Sequence, residues 1–442
     1  MATNPVRRVR RQSTELPIEL NLQSSLEDLA TYPASIDVPY LTVAIDWTPA
    51  GSDPGRIPTE APKASQRRAD TGPESVSARP GRTIIEAELK QVIEAHDARS
   101  AIRISLEKDR EQLLAYLDSE IDPAVTGLYV VANADLDVFD AIPLGLAVAN
   151  SVAIGPTPDL STLAHLIDDN PTFAVLWASQ SDATLTVFQQ GSGSDSVEVQ
   201  SNAYPRKQQT GGLNQKRYSN RAGERVSAFA RVVAAEVQQE MDRAAVDHLI
   251  LAGDEQFLSE LIQHLHETIA RKVIANVRTE NVVSENDLLE LSLPFVGQAE
   301  RDEEQEDVQQ LANRIGADDR AVAGIDGVLR AMQAGSVATL ILIDSLEGTG
   351  WGDFEMELFG TGDLPTEHPA GGDVGNIVAI DLDEELIRLA VQTGASIQFV
   401  KSATASGSAN AVPRSTGDAP VTDAAALLEQ FSGVGALLRF DM

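Results

Sequence analysis

The chain has 442 residues, too many for one ordinary domain and enough for three of about 100–150 residues each. An apolar share of 43% is enough for sizeable cores, and no run of about 18 apolar residues offers a membrane span. With 34 basic against 67 acidic residues the formal charge is −33, which excludes indiscriminate nucleic-acid binding unless the basic residues are concentrated, while zero cysteines exclude disulfides, thiolate metal sites and a cysteine nucleophile.

In chain order, residues 1–19 read as a basic tail carrying Arg7, Arg8, Arg10 and Arg11. No apolar stretch follows it, so it does not read as a secretory signal, and the chain is expected to be cytoplasmic. Residues 20–125 are expected to form an N-terminal α/β domain. Its signals are a strand at 41–45, a mobile Pro/Gly/Ser-rich loop at 50–82, and helices at 84–98 and 105–121. A middle domain is expected at 126–275. Short apolar or alternating segments at 127–131, 151–153, 173–177 and 183–189 predict strands, 160–168 predicts a helix, and 191–195 predicts a turn. A polar loop, 202–214, then leads into a long helix starting near Gln215. There Val226, Phe229, Ala230, Val233, Val237 and Met241 recur at three- and four-residue spacing as one apolar stripe. A strand at 248–251, the turn Ala252-Gly253-Asp254 and helix to about Ile274 complete this domain. Residues 276–442 predict a third domain. It has an acidic helix or hinge at 300–307, a helix at 321–333, a buried strand at 337–344 and a Gly- and acid-rich insertion at 348–375. A strand at 377–380, a helix at 383–392, a strand at 396–400, a second polar loop and a closing segment at 427–440 follow. This alternation predicts a three-layer α/β sandwich.

Positive charge is concentrated in a second place. Arg206, Lys207, Lys216, Arg217, Arg221, Arg225 and Arg231 face the single acid Glu224, a local charge of +6 in an acidic chain. Such a site on an acidic body favours one defined phosphate-rich target. Common enzyme signatures are absent: no phosphate-binding Gly-x-x-x-x-Gly-Lys loop, no His-Glu-x-x-His and no Gly-x-Ser-x-Gly. His264 and His266 lie two apart, which on a helix would point them in different directions, so no metal site is expected, and no cofactor.

One constellation combines flexibility with charge: Gly211, Gly212, Leu213, Asn214, Gln215, Lys216, Arg217 and Tyr218, followed by Arg221 and Arg225. Paired glycines let a backbone approach a ligand closely. The helix start offers unpaired N–H groups and a positive dipole suited to RNA phosphates, and Arg217, Arg221 and Arg225 at four-residue spacing extend that site. The same residues also fit a surface turn ahead of an Arg-rich amphipathic helix.

Residues 211–229 resemble the Gly-Gly-Gln loop and following helix of the archaeo-eukaryotic class-1 peptide release factors. Gly211, Gly212, Arg217 and Tyr218 stand in register with that pattern and Arg221 lies close to its last position. Segments 248–257, 324–343 and 433–440 resemble later parts of the same family, so the resemblance covers about residues 125–442. It implies a release-factor-like, three-domain α/β protein that mimics tRNA in the ribosomal A site. The middle domain would reach the peptidyl-transferase centre and rRNA, and the third would contact a translational GTPase such as elongation factor Tu. Two departures qualify it. Leu213, which cannot coordinate water, occupies the catalytic glutamine position, and both the Asn-Ile-Lys-Ser loop and the Tyr-x-Cys motif of stop-codon decoders are missing. The resemblance therefore implies a non-decoding factor for idle or stalled ribosomes, as in a bacterial relative associated with hibernation. The alternative is a peptidyl-tRNA hydrolase for ribosome rescue, with Gln215 orienting the attacking water.

Overall fold

A computed structural model describes residues 6–12, 22–49, 79–119, 121–123, 125–189, 194–201, 215–279, 284–401 and 423–440. The chain begins β1 (Val6–Gln12), α1 (Leu22–Ala30), β2 (Tyr40–Asp46), α2 (Pro80–Glu94) and α3 (Ala101–Leu117). It continues β3 (Gly127–Asn133), β4 (Val138–Leu144), β5 (Ser151–Gly155), α4 (Ser161–Asp169), β6 (Phe173–Ala178), β7 (Asp182–Phe188) and β8 (Ser194–Ser201). Then come α5 (Gln215–Arg243), β9 (His248–Gly253), α6 (Glu255–Ile262), α7 (Glu267–Ala270), β10 (Val273–Arg278) and α8 (Glu285–Ala317). The last part is β11 (Ala321–Ala323), α9 (Ile325–Gln333), β12 (Val337–Ile343), β13 (Thr349–Asp353) and β14 (Leu358–Thr361). After these follow β15 (Val378–Asp381), α10 (Leu382–Thr393), β16 (Ser396–Val400), α11 (Asp423–Glu429) and β17 (Val434–Leu438). This is a mixed α/β protein with several sheets.

Contacts divide it into two units: Met1–Pro17 with Asn170–Glu300, and Ile18–Asp169 with Arg301–Met442. The first unit holds a six-stranded mixed sheet in the order β1-β8-β7-β6-β9-β10. Strands β6, β9 and β10 run parallel and the others pair antiparallel. Alternation decides its faces: Ala174 and Leu176, Leu185 and Val187, Val197 and Val199, Leu249 and Leu251 all point into one core. The apolar stripe of α5 covers that core through Phe229, Val233, Val237 and Met241.

In the second unit an antiparallel sheet, β4-β3-β2-β5, is packed on both faces. Leu41, Val43 and Ile45 lie against Ile85, Leu89, Leu106 and Leu113 of α2 and α3. Tyr40, Ala44, Tyr129 and Val131 turn the other way, into a core shared with α1, α4, α9 and α10. The same core covers one face of a four-stranded sheet, β11-β17-β12-β16. Along β12, Leu340 and Leu342 enter it while Ile341 and Ile343 face α8 and α11 on the opposite side. The result is helix, sheet and helix, the expected sandwich. Helix α8 comes so close to the sheet that a Cβ on Gly435 would lie 2.4 Å from Leu311.

Several segments differ from expectation for physical reasons. The basic segment contains a strand, β1, which pairs along β8; charged edge strands resist further pairing, so an Arg-rich sequence suits that place. Strand β8 occupies part of the expected 191–195 turn, its alternating Val197 and Val199 supplying the buried face. Strands β3 and β5, expected with the middle domain, pair instead with β2, and β4 joins the sheet through β3, because sequence period does not specify a strand's partner. Helix α2 begins at Pro80, inside the expected loop. The helix expected to run to about Ile274 stops earlier and gives way to β10. The expected helix 321–333 begins as β11 and turns at Gly324, whose φ of 77° breaks the strand before α9. The expected insertion contributes β13 and β14 to a small sheet with β15.

Candidate functional site

Helix α5 carries the candidate site. Its 29 residues make a rod about 43 Å long at 1.5 Å per residue, and Gln215 is its first residue. Phe229 is 3% exposed and its ring lies 5.4 Å from that of Phe257 on α6, which fixes the middle of the rod on the sheet. Gln215 stands 14 residues before that anchor, roughly 21 Å along the axis. The partner helix α6 is set by a tight turn. Gly253 has a φ of 130°, and a Cβ there would lie 2.0 Å from the Ala178 carbonyl oxygen, so only glycine fits. Asp254 then caps α6 by accepting the Phe257 amide at 2.9 Å.

The sequence-predicted residues divide into three groups. Gly211, Gly212, Leu213 and Asn214 lie outside the described residues, as do Arg206 and Lys207. Gln215, Lys216, Arg217, Tyr218 and Arg221 fall in the first two turns of α5. Arg225 is exposed on the same helix, as are Glu224 and Arg231.

Farther along α5, polar groups missed by sequence reasoning come together. Ser227 Oγ lies 3.1 Å from His264 Nε2, and the same nitrogen lies 3.3 Å from Glu260 Oε1. The Ser227 hydroxyl and the His264 ring hold the Glu260 carboxyl below its usual range. Both contacts converge on one ring nitrogen, so the cluster lacks the two-sided histidine of a nucleophile–base–acid relay. His264 and His266 lie off the helix, contrary to the sequence expectation. His264 follows the end of α6, and His266 caps α7 by accepting the Thr268 amide. Their sequence spacing gave no sign of these separate roles.

A second buried polar pair lies in the small sheet of the other unit. His368 Nε2 donates to Asp353 Oδ2 at 3.0 Å, while its Nδ1 accepts the Ala370 amide at 3.1 Å, which defines the tautomer. Asp353 also accepts the amides of Met356 and Glu355, and the Met356 amide leads in holding its carboxyl low. These contacts serve the loop and have no open side.

Residues 158–293 match bacterial archaeo-eukaryotic release factor family 10. The middle of the chain is thus release-factor-like, and the match spans the glycine pair, α5, the Gly253 turn and the start of α8. It covers under a third of the chain and begins after β5, beyond the sheet formed with β2. No curated protein matches. Among solved structures, S. cerevisiae Dom34, described as a translation termination-like factor interacting with Hbs1, is similar at 10% identity. That likeness covers 72% of this chain and 80% of that one with a TM-score of 0.39. Archaeoglobus fulgidus Pelota is similar at 16% identity over 71% of this chain and 79% of its own, with a TM-score of 0.30. A ribosome-bound archaeal Pelota, described with ABCE1, is similar at 13% identity over 98% and 97%, with a TM-score of 0.37. Among the described residues no helix is long and apolar enough to cross a membrane.

Proposed function

We propose that the protein is a ribosome-binding, tRNA-mimicking translation factor that acts on idle or stalled ribosomes without decoding stop codons, in the manner of the hibernation factor Balon. The observation that supports this most is the release-factor match over residues 158–293, a segment that contains both the glycine pair and the basic start of α5. In this account Gly211 and Gly212 permit close approach at the peptidyl-transferase centre, and Leu213 leaves the loop without a water-coordinating side chain. Gln215, which follows Asn214 in sequence, opens the helix, where unpaired N–H groups and the dipole favour phosphate. Lys216, Arg217, Tyr218, Arg221 and Arg225 extend the rRNA contact along α5. The domain from 276 to 442 meets the stalk base or a translational GTPase such as elongation factor Tu, and the site of action is the cytoplasm under stress.

The chemistry makes the interaction electrostatic, so binding weakens steeply with salt as counterions are released. Replacing Arg217, Arg221 and Arg225 with alanine reduces co-sedimentation with ribosomes and lowers the salt slope by about 2–3, near one for each phosphate that is no longer neutralised. Undiminished co-sedimentation of the triple variant would show that the helix start is only a solvated face.

A further inference from the structure

The Gly- and acid-rich insertion builds the small sheet β14-β13-β15, and the two faces of that sheet differ. Successive residues of a strand alternate faces, and residues directly opposite share one. Phe359 and Ile380 point into the core of the second unit. Gly350 and Gly352 lie on that side, where a Cβ would collide with Leu382 and with Phe359. Trp351 takes the other side, opposite Gly360 on β14 and Ala379 on β15. Its indole lies across Gly360, where a Cβ would come within 2.3 Å of the ring atom Cζ2, so that position requires a residue without a side chain. Ala379 is exposed and Trp351 is half-buried. Small residues on both flanks thus leave the outer surface of the indole open. Thr349 and Asp381, both exposed, stand opposite one another at one end of this face, while Asp353 at the other end is buried and committed to His368.

The surroundings of the indole carry one sign of charge. No lysine or arginine stands between Arg330 and Arg388, a stretch that holds twelve acids. Glu347 and Asp381 are exposed at one end of the open face, and Glu355 and Glu357 are exposed in the turn from β13 to β14 at the other. The face of an indole attracts a cation electrostatically, and tryptophan does so best among the aromatic residues. This chain already uses such a contact at Trp47, where Arg79 Cζ lies 5.1 Å from the ring centroid. The same acids repel phosphate, which argues against a nucleic-acid base as the partner of the Trp351 ring. A basic protein segment satisfies both the ring and its rim.

We propose that the open face of the small sheet docks a basic segment of a protein partner, an arginine or lysine of which sets its cation over Trp351 while neighbouring basic residues meet Asp381 and Glu347. The glycines of the insertion then have a purpose beyond the turn: they let the sheet lie close on the core and keep the indole uncovered. This docking goes beyond the ribosome-binding reading and does not rest on it, since the Trp351 face and the start of α5 belong to different units.

The test titrates octa-arginine into the full chain at low salt and follows the indole N–H resonances of the three tryptophans, that of Trp351 being assigned by its loss in Trp351→Phe. The Trp351 signal shifts saturably, while those of Trp47 and Trp177, which are 3% and 8% exposed, stay in place. Trp351→Ala weakens peptide binding about two- to fivefold, the worth of an exposed cation–π contact. Glu347→Gln with Asp381→Asn weakens it at least about twofold. That double variant keeps the sheet and the indole intact, so it decides the matter even if Trp351→Ala fails to fold. A Trp351 signal that stays in place, or that moves no more than the other two, would overturn the proposal. An oligouridylate of the same length that shifts it as strongly would overturn it too, by making the ring a platform for bases.

Discussion

Asp109 offers the sharpest test of the second unit. It lies on α3, is 0% exposed, and faces the interior one turn after Ser105, whose hydroxyl is likewise buried without a hydrogen-bond partner. Neither Asp109 oxygen has a partner of normal geometry. Burial pushes its carboxyl up to about 6, with the Ala134 amide and Lys108 offsetting part of the effect. The folded state thus keeps a proton that the unfolded chain loses near the ordinary aspartate value of 3.8. Because the folded form binds more protons between those values, stability falls as pH rises from about 4 to 6 and stays reduced above. Holding the proton over that range corresponds to a ceiling of about 3 kcal/mol. Asp109→Asn removes the titration while keeping the shape, so the variant should outlast the parent at pH 8 and lose the advantage at pH 4. Hydrogen exchange of α3 and β3 amides across that range reads the effect locally. Parallel pH profiles for parent and variant would refute the reasoning.

Other outcomes follow from the first unit. Phe229→Ala empties the contact between α5 and α6 and should cost about 3–5 kcal/mol, seen as a lower melting temperature of that unit. Gly253→Ala drives a Cβ into the Ala178 carbonyl, so the variant should accumulate as insoluble protein, whereas Gly324→Ala, where a Cβ meets nothing within 4 Å, pays only for its φ. Peptide release from stalled peptidyl-tRNA complexes should be slow or absent in the parent and in Gln215→Ala alike. Fast release that vanishes in the variant would instead make Gln215 catalytic.

The parts legible in the sequence were those in which one period dominates. The stripe Val226, Phe229, Val233, Val237, Met241 announces α5, and the apolar runs at β2 and β12 announce buried strands, since a strand packed on both faces reads as a nearly continuous apolar run. Where charge overlies period the signal fails. Strand β1, Val-Arg-Arg-Val-Arg-Arg-Gln, has no two-residue alternation and reads as a basic tail, and β8 hides its two valines among serine, aspartate and glutamate. Strand β4 was missed because its alternation is interrupted by Asp140 and Pro143, which an outer strand of the sheet tolerates. The partners of β3 and β5 were not legible, because nothing in a strand's own sequence names its neighbour. Asp109 and Ser105 sit at a spacing that on an exposed helix would be unremarkable; only the packing of Leu106 and Leu113 beside them turns them inward. At the candidate site, the basic stripe and glycine pair came from sequence and resemblance, while the anchoring of α5 by Phe257 and the Gly253 turn came from the structure.

Cryo-electron microscopy of ribosomes bound to the protein tests the central claim most directly. The account predicts density in the A site, with Gly211, Gly212 and Leu213 at the peptidyl-transferase centre and the first turns of α5 lying along rRNA phosphates. Ribosomes whose A site stays empty in the presence of saturating protein, or a bound molecule that directs another face to the peptidyl-transferase centre, would contradict it.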